Sequence, residues 1–253
     1  MDPRSAGSSA SELADQLEAR AEALVERALH EMYANPFWDE RFGERGRQFA
    51  RVDNYHHISY LVLALRVESP DVLARYARWL QEVLTTRGMC TRHVSENFAR
   101  LDDAIDEDGI EGADPAHAYL RAAQEALVYA DDPARALQVA ATEIAVAAAD
   151  AMYSDHPKWL DRWGEAGRTR CADDLTYHLS YLSDALALGR NEVFVEYVAW
   201  IAGFLARRSI PVEHLAEALV AIDQALQFLP VPARDAARVA LGVGRSRLGT
   251  SSP

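Results

Sequence analysis

Asp53, His57 and Tyr60 are spaced by four and three residues, so a helix would carry a carboxylate, an imidazole and a phenol on one face. The same three residue types return 121 positions later as Asp174, His178 and Tyr181. Leu61, Ala64 and Leu65 extend the first face, and Leu182, Ala185 and Leu186 the second. The polar groups therefore lie on continuations of core-facing stripes and are expected to be mostly buried, where they need partners. One reading is structural: the carboxylate accepts from the imidazole one turn on, or the pair ties helices or repeats together. The other is a pocket for a planar, acidic, nitrogen-rich ligand. Asp53 or Asp174 would accept from pyrrole N–H groups, and His57/His178 and Tyr60/Tyr181 would bond carbonyl or lactam oxygens. Tyr76/Tyr197 and Trp79/Trp200 would supply flat apolar walls, although their spacing also fits plain core packing. Arg41, Arg47, Arg162 and Arg168 are the candidates to pair with propionates. A bilin or a haem uses such a donor set. His56 has Tyr177 opposite it and is read as incidental.

A second constellation is His93-x-x-Glu96 with His214-x-x-Glu217, an imidazole and a carboxylate on one helical face each time. Added to the Asp and His pairs, it offers enough ligands for a metal in a helical bundle, and hence a di-iron-like oxidoreductase as the enzyme-class alternative. The Glu-x-x-His motif usual in such bundles is missing, and the plainer reading is a helix start with His and Glu on its solvated face. No serine-hydrolase elbow, phosphate loop or redox cysteine pair is present, and the glycines of RFGERGR and RWGEAGR lack the strand context of a nucleotide loop.

These residues are positioned by a repeat. Residues 36–105 align without a gap on 157–226, with 23 identities in 70 positions. Among them are Trp38/Trp159, Gly43/Gly164, Gly46/Gly167, Tyr76/Tyr197 and His93/His214. An internal period of this kind outranks local pattern reading. The expectation is an all-α chain, a tandem duplication of a roughly five-helix module forming a pseudo-two-fold helical bundle. A disordered tail over 1–10 would precede a first repeat at 11–130 and a second at 131–253. Ser11 is the candidate cap of a helix reaching Ala34. A long helix should run from about 37 to past Leu65, bent or closely approached at Gly43 and Gly46, followed by helices at 70–87, about 91–105 and 117–130. The acidic run at 106–115 reads as a linker. In the second half, helices are expected at about 134–154, 158–188, 191–208, from Pro211, and after Pro232, making ten in all. The ending GTSSP reads as disordered.

Composition agrees with a soluble helical protein: 49% hydrophobic, 26% charged, 13 Gly and 10 Pro. A formal charge of −13 repels phosphate backbones and anionic lipid surfaces, which argues against nucleic acid and membrane as partners. Cys90 and Cys171 fall opposite Pro211 and Ala50, so no disulfide framework forms and a reducing, cytoplasmic setting is expected. The start has neither an apolar signal core nor a membrane-length run.

The pattern W-x-x-R-[FW]-G-E-x-G-R, then D-x-x-x-H-x-S-Y-L and Y-x-x-W, resembles the helical sensory modules that accompany cobalamin-binding domains in photocobilin-type bacterial photoreceptors. The likeness covers mainly 36–88 and 157–208. It implies a helical pocket for biliverdin or a related tetrapyrrole and a signalling role with a protein partner. This chain departs from it in carrying two copies and no cobalamin domain. Covalent bilin attachment is not expected, because neither cysteine recurs between copies. The function expected is therefore non-catalytic chromophore binding, with the second copy preferred because Trp163 replaces Phe42 beside Arg162. The alternatives are the metal-dependent oxidoreductase and a ligand-free helical adaptor.

Overall fold

Polar caps and prolines set the helix starts. In a computed structural model the backbone is described for residues 3–249 and side chains for 10–248; of the ending GTSSP, expected to be disordered, Gly249 closes a helix and 250–253 lie outside the described residues. Every element described is helical: α1 (Pro3–Ala19), α2 (Ala21–Tyr33), α3 (Pro36–Arg66), α4 (Pro70–Thr85), α5 (Thr91–Glu107), α6 (Asp114–Glu125), α7 (Asp132–Asp155), α8 (Pro157–Leu188), α9 (Asn191–Arg207), α10 (Val212–Ala225), a 3-10 turn (Leu226–Phe228) and α11 (Val231–Gly249). Asn35 caps α3, its side chain accepting from the Phe37 N–H at 3.0 Å, and Pro36 occupies a first-turn position where no N–H is needed.

Among the described residues there are eleven α-helices rather than ten, and no strand. The helix expected from Ser11 to Ala34 is divided at Arg20, whose φ of −104° and ψ of 7° leave the helical region. Ser11 lies inside α1, which starts at Pro3, so the tail expected over 1–10 is helical from that residue. The acidic linker expected over 106–115 is shorter, since α5 runs to Glu107 and α6, expected at 117–130, spans Asp114–Glu125; Gly109 and Gly112 take positive φ between them.

The chain divides into two compact units. One takes residues up to Val83 together with His93–Leu127; the other takes Leu84–Arg92 together with residues from Val128 onward. The first unit buries Leu17, Leu24, Leu61, Leu65, Leu73, Phe98, Leu101 and Leu120, with α1, α2 and α6 against α3. The core of the second contains Leu137, Ile144, Leu179, Leu182, Phe194, Val198, Leu219, Ile222 and Leu241, where α7 and α8 pack along their length and α9, α10 and α11 close over them. Side chains such as these, taken fully from water, each stabilise by about 1.5–3 kcal/mol.

The two long helices are bent at equivalent glycines. Gly43 has φ 62° and ψ −166°, and Gly164 has φ 62° and ψ −167°, a region open in practice to glycine alone. One turn on, a Cβ on Gly46 would overlap the Phe42 side chain, and one on Gly167 would overlap that of Trp163 and approach the Tyr153 hydroxyl at 2.9 Å. Each long helix is thus kinked at the first glycine, and the second leaves room for the Phe42 or Trp163 side chain beside the kink.

Candidate functional site

The retained histidines and tyrosines form one hydrogen-bonded pair in each unit. His57 Nδ1 meets the Tyr76 hydroxyl at 2.8 Å, and His178 Nδ1 meets Tyr197 at 2.6 Å. Tyr60 stacks on Tyr76 with centroids 4.0 Å apart, and Tyr181 on Tyr197 at 3.8 Å. Both imidazoles are buried, as are Tyr76, Tyr181 and Tyr197. Burial disfavours the imidazolium, lowering His57 to about 3 with a further push from His56, and His178 to about 4. The same burial raises the Tyr76 hydroxyl, with the Asp53 charge adding to it. Each pair is thus neutral and faces protein.

The aspartates depart from expectation. Asp53 is half-buried and Asp174 is exposed, so the four-residue buried set reduces to His57 and His178. At their turns the helix has moved off the core, because the apolar stripe begins only at Ile58 and Leu175. Surrounding protein raises the Asp174 carboxyl to about 6, against Arg170 and Arg92, which lower it; the open side chain lets solvent screen this effect. Tyr60 and Trp79 are exposed and Trp200 is half-buried, so the tryptophans are not core; the α4 stripe passes through Leu73, Tyr76 and Leu80 instead.

The four arginines are engaged near the bends, away from the His–Tyr pairs in sequence and in contact. Arg47 bonds Asp39 at 2.8 Å and lies 4.0 Å over the Tyr33 ring; Arg168 pairs with Glu165 at 2.7 Å and with Asp150. Arg41 lies over Phe42 and Arg162 over Trp163. The structure does not bring aspartate, histidine and arginine into one pocket.

Of the His-x-x-Glu motifs, the first has its imidazole in the core, whereas the second is partly solvated. His93 is buried, packed on Phe37 and Trp38 with centroids 5.1 and 5.0 Å away. His214 is partly covered by Trp159 at 4.9 Å. This contact accounts for the retention of Trp38/Trp159 with His93/His214: the imidazole wedges against the indole that opens the long helix. In the second unit His156 stacks on Trp159 at 4.2 Å and shares Glu217 with His214, at 3.0 and 3.2 Å from Oε2. Burial raises the Glu217 carboxyl, but the hydrogen bonds from His214 and His156 outweigh it and hold the group below its usual range. Among the described residues no group of three or more His, Cys, Asp or Glu is arranged to hold a metal ion.

A cleft of about 1210 Å³ opens beside this cluster in the second unit, lined from α7, α9, α10 and α11. Its lining includes Ala151, Ala199, Ala202, Ala216 and Ala221, the larger apolar Met152, Val220 and Leu248, the acids Asp155, Glu213 and Glu217, and His156, Arg245 and Arg247. The repeat hid it. None of its lining residues belongs to the first copy, and its one sequence signal is a run of alanines on successive helices ending in the basic GRSRL of α11.

A third polar cluster lies on α8. Asp184, fully buried, accepts from the Thr91 N–H at 2.9 Å, the Thr91 hydroxyl at 2.7 Å and the Tyr129 hydroxyl at 2.8 Å. Burial raises its carboxyl to about 6 against those three bonds, which lower it. Beside it Tyr181 donates to the Gly88 carbonyl at 2.9 Å, and Ser180 Oγ accepts from the Arg92 N–H at 3.0 Å.

No helix among the described residues is long and apolar enough to cross a membrane. No protein-family model matches the chain, and neither a curated protein nor a solved structure matches it.

Proposed function

We propose that the chain is a sensory ligand-binding protein that holds a bilin-like tetrapyrrole, biliverdin or a close relative, non-covalently and without reacting with it, in the cleft of the second unit. The size and lining of that cleft carry the reading. At about 1210 Å³ it exceeds the roughly 300–1,000 Å³ of pockets for drug-sized molecules, which leaves room for an extended open-chain tetrapyrrole, and it joins an apolar surface to polar groups that can fix orientation. The alanines offer an apolar wall, Arg245, which also reaches Asp223 at 3.9 Å, can meet a propionate, and Glu217 can accept from pyrrole N–H groups. The lining contains no cysteine, which favours reversible uptake.

This reading moves the ligand from the residues that the sequence motif picks out to residues beside them. Biliverdin titrated into Ala216→Trp should give weak binding because the indole fills the cleft, and Arg245→Ala should weaken binding with little change of colour, since a propionate is remote from the conjugated system. Asp174→Asn should bind like wild type. The opposite pattern, with Asp174→Asn impaired and Ala216→Trp unaffected, would return the site to α8. A ligand-free helical adaptor is the second reading, favoured by the fact that the retained His–Tyr and His–Trp pairs are occupied in packing.

A further inference from the structure

The loop before α5 is held against α8 by a set of contacts whose counterparts, 121 residues away, are both exposed. Residues 84–92 turn at Gly88, with φ 87°, and the Arg87 and Met89 N–H groups donate to Leu84 O at 3.0 and 3.1 Å. Its partners on α8 are Tyr177, Ser180, Tyr181 and Asp184. The same loop is built at 205–213: Ser209 takes φ 56°, and Arg208 and Ile210 each donate to Leu205 O at 3.0 Å. The receiving face recurs on α3 as His56, Ser59, Tyr60 and Leu63. Ile210 and Val212 are 38% and 37% exposed, Tyr60 and Leu63 are 38% and 46%, and His56, Ser59 and Glu213 are exposed with them.

We propose that loop 205–213 of one copy docks on the α3 face of a second copy, in the manner in which loop 84–92 docks on α8. The pairwise substitutions support this occupant. Thr91 bonds Asp184; their counterparts, Val212 and Leu63, are both apolar, so a polar pair is matched by an apolar pair. Arg92 lies 4.8 Å over the Tyr177 ring; their counterparts, Glu213 and His56, set an acid against an imidazole. Ser59 remains to accept from the Glu213 N–H, and Tyr60 remains to donate to the Ser209 carbonyl. At both positions where the helix residue differs, the change is compatible with the change on the loop. Donor loop and receiving face lie on different parts of the chain, so the contact is head-to-tail, and copies add to one another in a ring or an open chain.

The test uses the full chain without ligand, because Val212 and Glu213 also border the cleft. Light scattering over a concentration series should show wild type growing beyond 28.1 kDa. Leu63→Arg spoils the face and Val212→Asp the loop; each should raise the dissociation constant about tenfold or more, because a charge is left buried against an apolar partner. The two variants mixed should form a 1:1 heterodimer that grows no further, since one intact loop and one intact face remain. Leu63→Lys and Val212→Gln serve if either charged variant fails to fold by circular dichroism. Wild type monomeric throughout, single variants that associate as wild type does, or a mixture that stays monomeric would each overturn the proposal.

Discussion

Below pH 6.5 the two buried histidines should destabilise the fold, and replacing one should remove a calculable share of that loss. Both have folded pKa values lowered from 6.5, to about 4 for His178 and about 3 for His57. A lowered pKa means that the folded state resists the proton that the unfolded state takes up. The stability contributed is full above 6.5 and is lost as pH falls towards the folded pKa. Each pKa unit is worth about 1.4 kcal/mol, so the complete loss is on the order of 3 kcal/mol for His178 and 5 kcal/mol for His57. Between pH 7.5 and 5.0 each should contribute about 2 kcal/mol of it. Asp184 acts in the opposite direction: its pKa is raised to about 6, so its contribution is full below the unfolded value of 3.8 and is lost as pH rises through 6. The clean readout is therefore a difference between variants. His178→Gln keeps a hydrogen-bond partner for Tyr197 and does not titrate. Urea unfolding of both proteins at pH 7.5 and 5.0 should show the variant losing about 2 kcal/mol less than wild type. Equal losses would mean that His178 takes up its proton in the folded state, and the neutral buried pair would be refuted.

Gly164→Ala forces an L-residue into φ 62°, ψ −167° and should cost on the order of 1–3 kcal/mol, seen as a thermal midpoint several degrees lower; an unchanged midpoint would mean that the bend relaxes freely. Gly167→Ala adds a Cβ that overlaps Trp163 and should also lower the midpoint, with altered tryptophan fluorescence as the local sign. Asp184→Ala removes the acceptor of the Thr91 N–H and leaves the Thr91 and Tyr129 hydroxyls, 3.2 Å apart, to bond each other; it should cost about 1–3 kcal/mol, with faster amide exchange at Thr91. Exchange at Thr91 as slow as in wild type would show that the loop is held by something else.

The helical class and most element limits were legible because they rest on short-range signals. Asn35-Pro36 opens α3, the Gly109 and Gly112 turn follows α5, and the spacing of Leu61, Ala64 and Leu65 marks a buried stripe. The break at Arg20 was not legible, since no glycine or proline marks it. Asp174 was misplaced because periodicity fixes the side of a helix and not where along it the core begins. His57 and His178 were correctly expected inside, but their partners, Tyr76 and Tyr197, lie on another helix, and sequence spacing does not pair residues across helices. The cleft was missed for the opposite reason: alanine is too common to be a signal, and space becomes visible only when four helices are assembled.

The measurement that bears most directly on the central claim is an absorbance titration of biliverdin with the purified wild-type chain. Ligand uptake in the α7–α11 cleft predicts a shifted visible band that saturates at one biliverdin per chain and is lost in Ala216→Trp. A spectrum that remains that of free biliverdin at every protein concentration would contradict it.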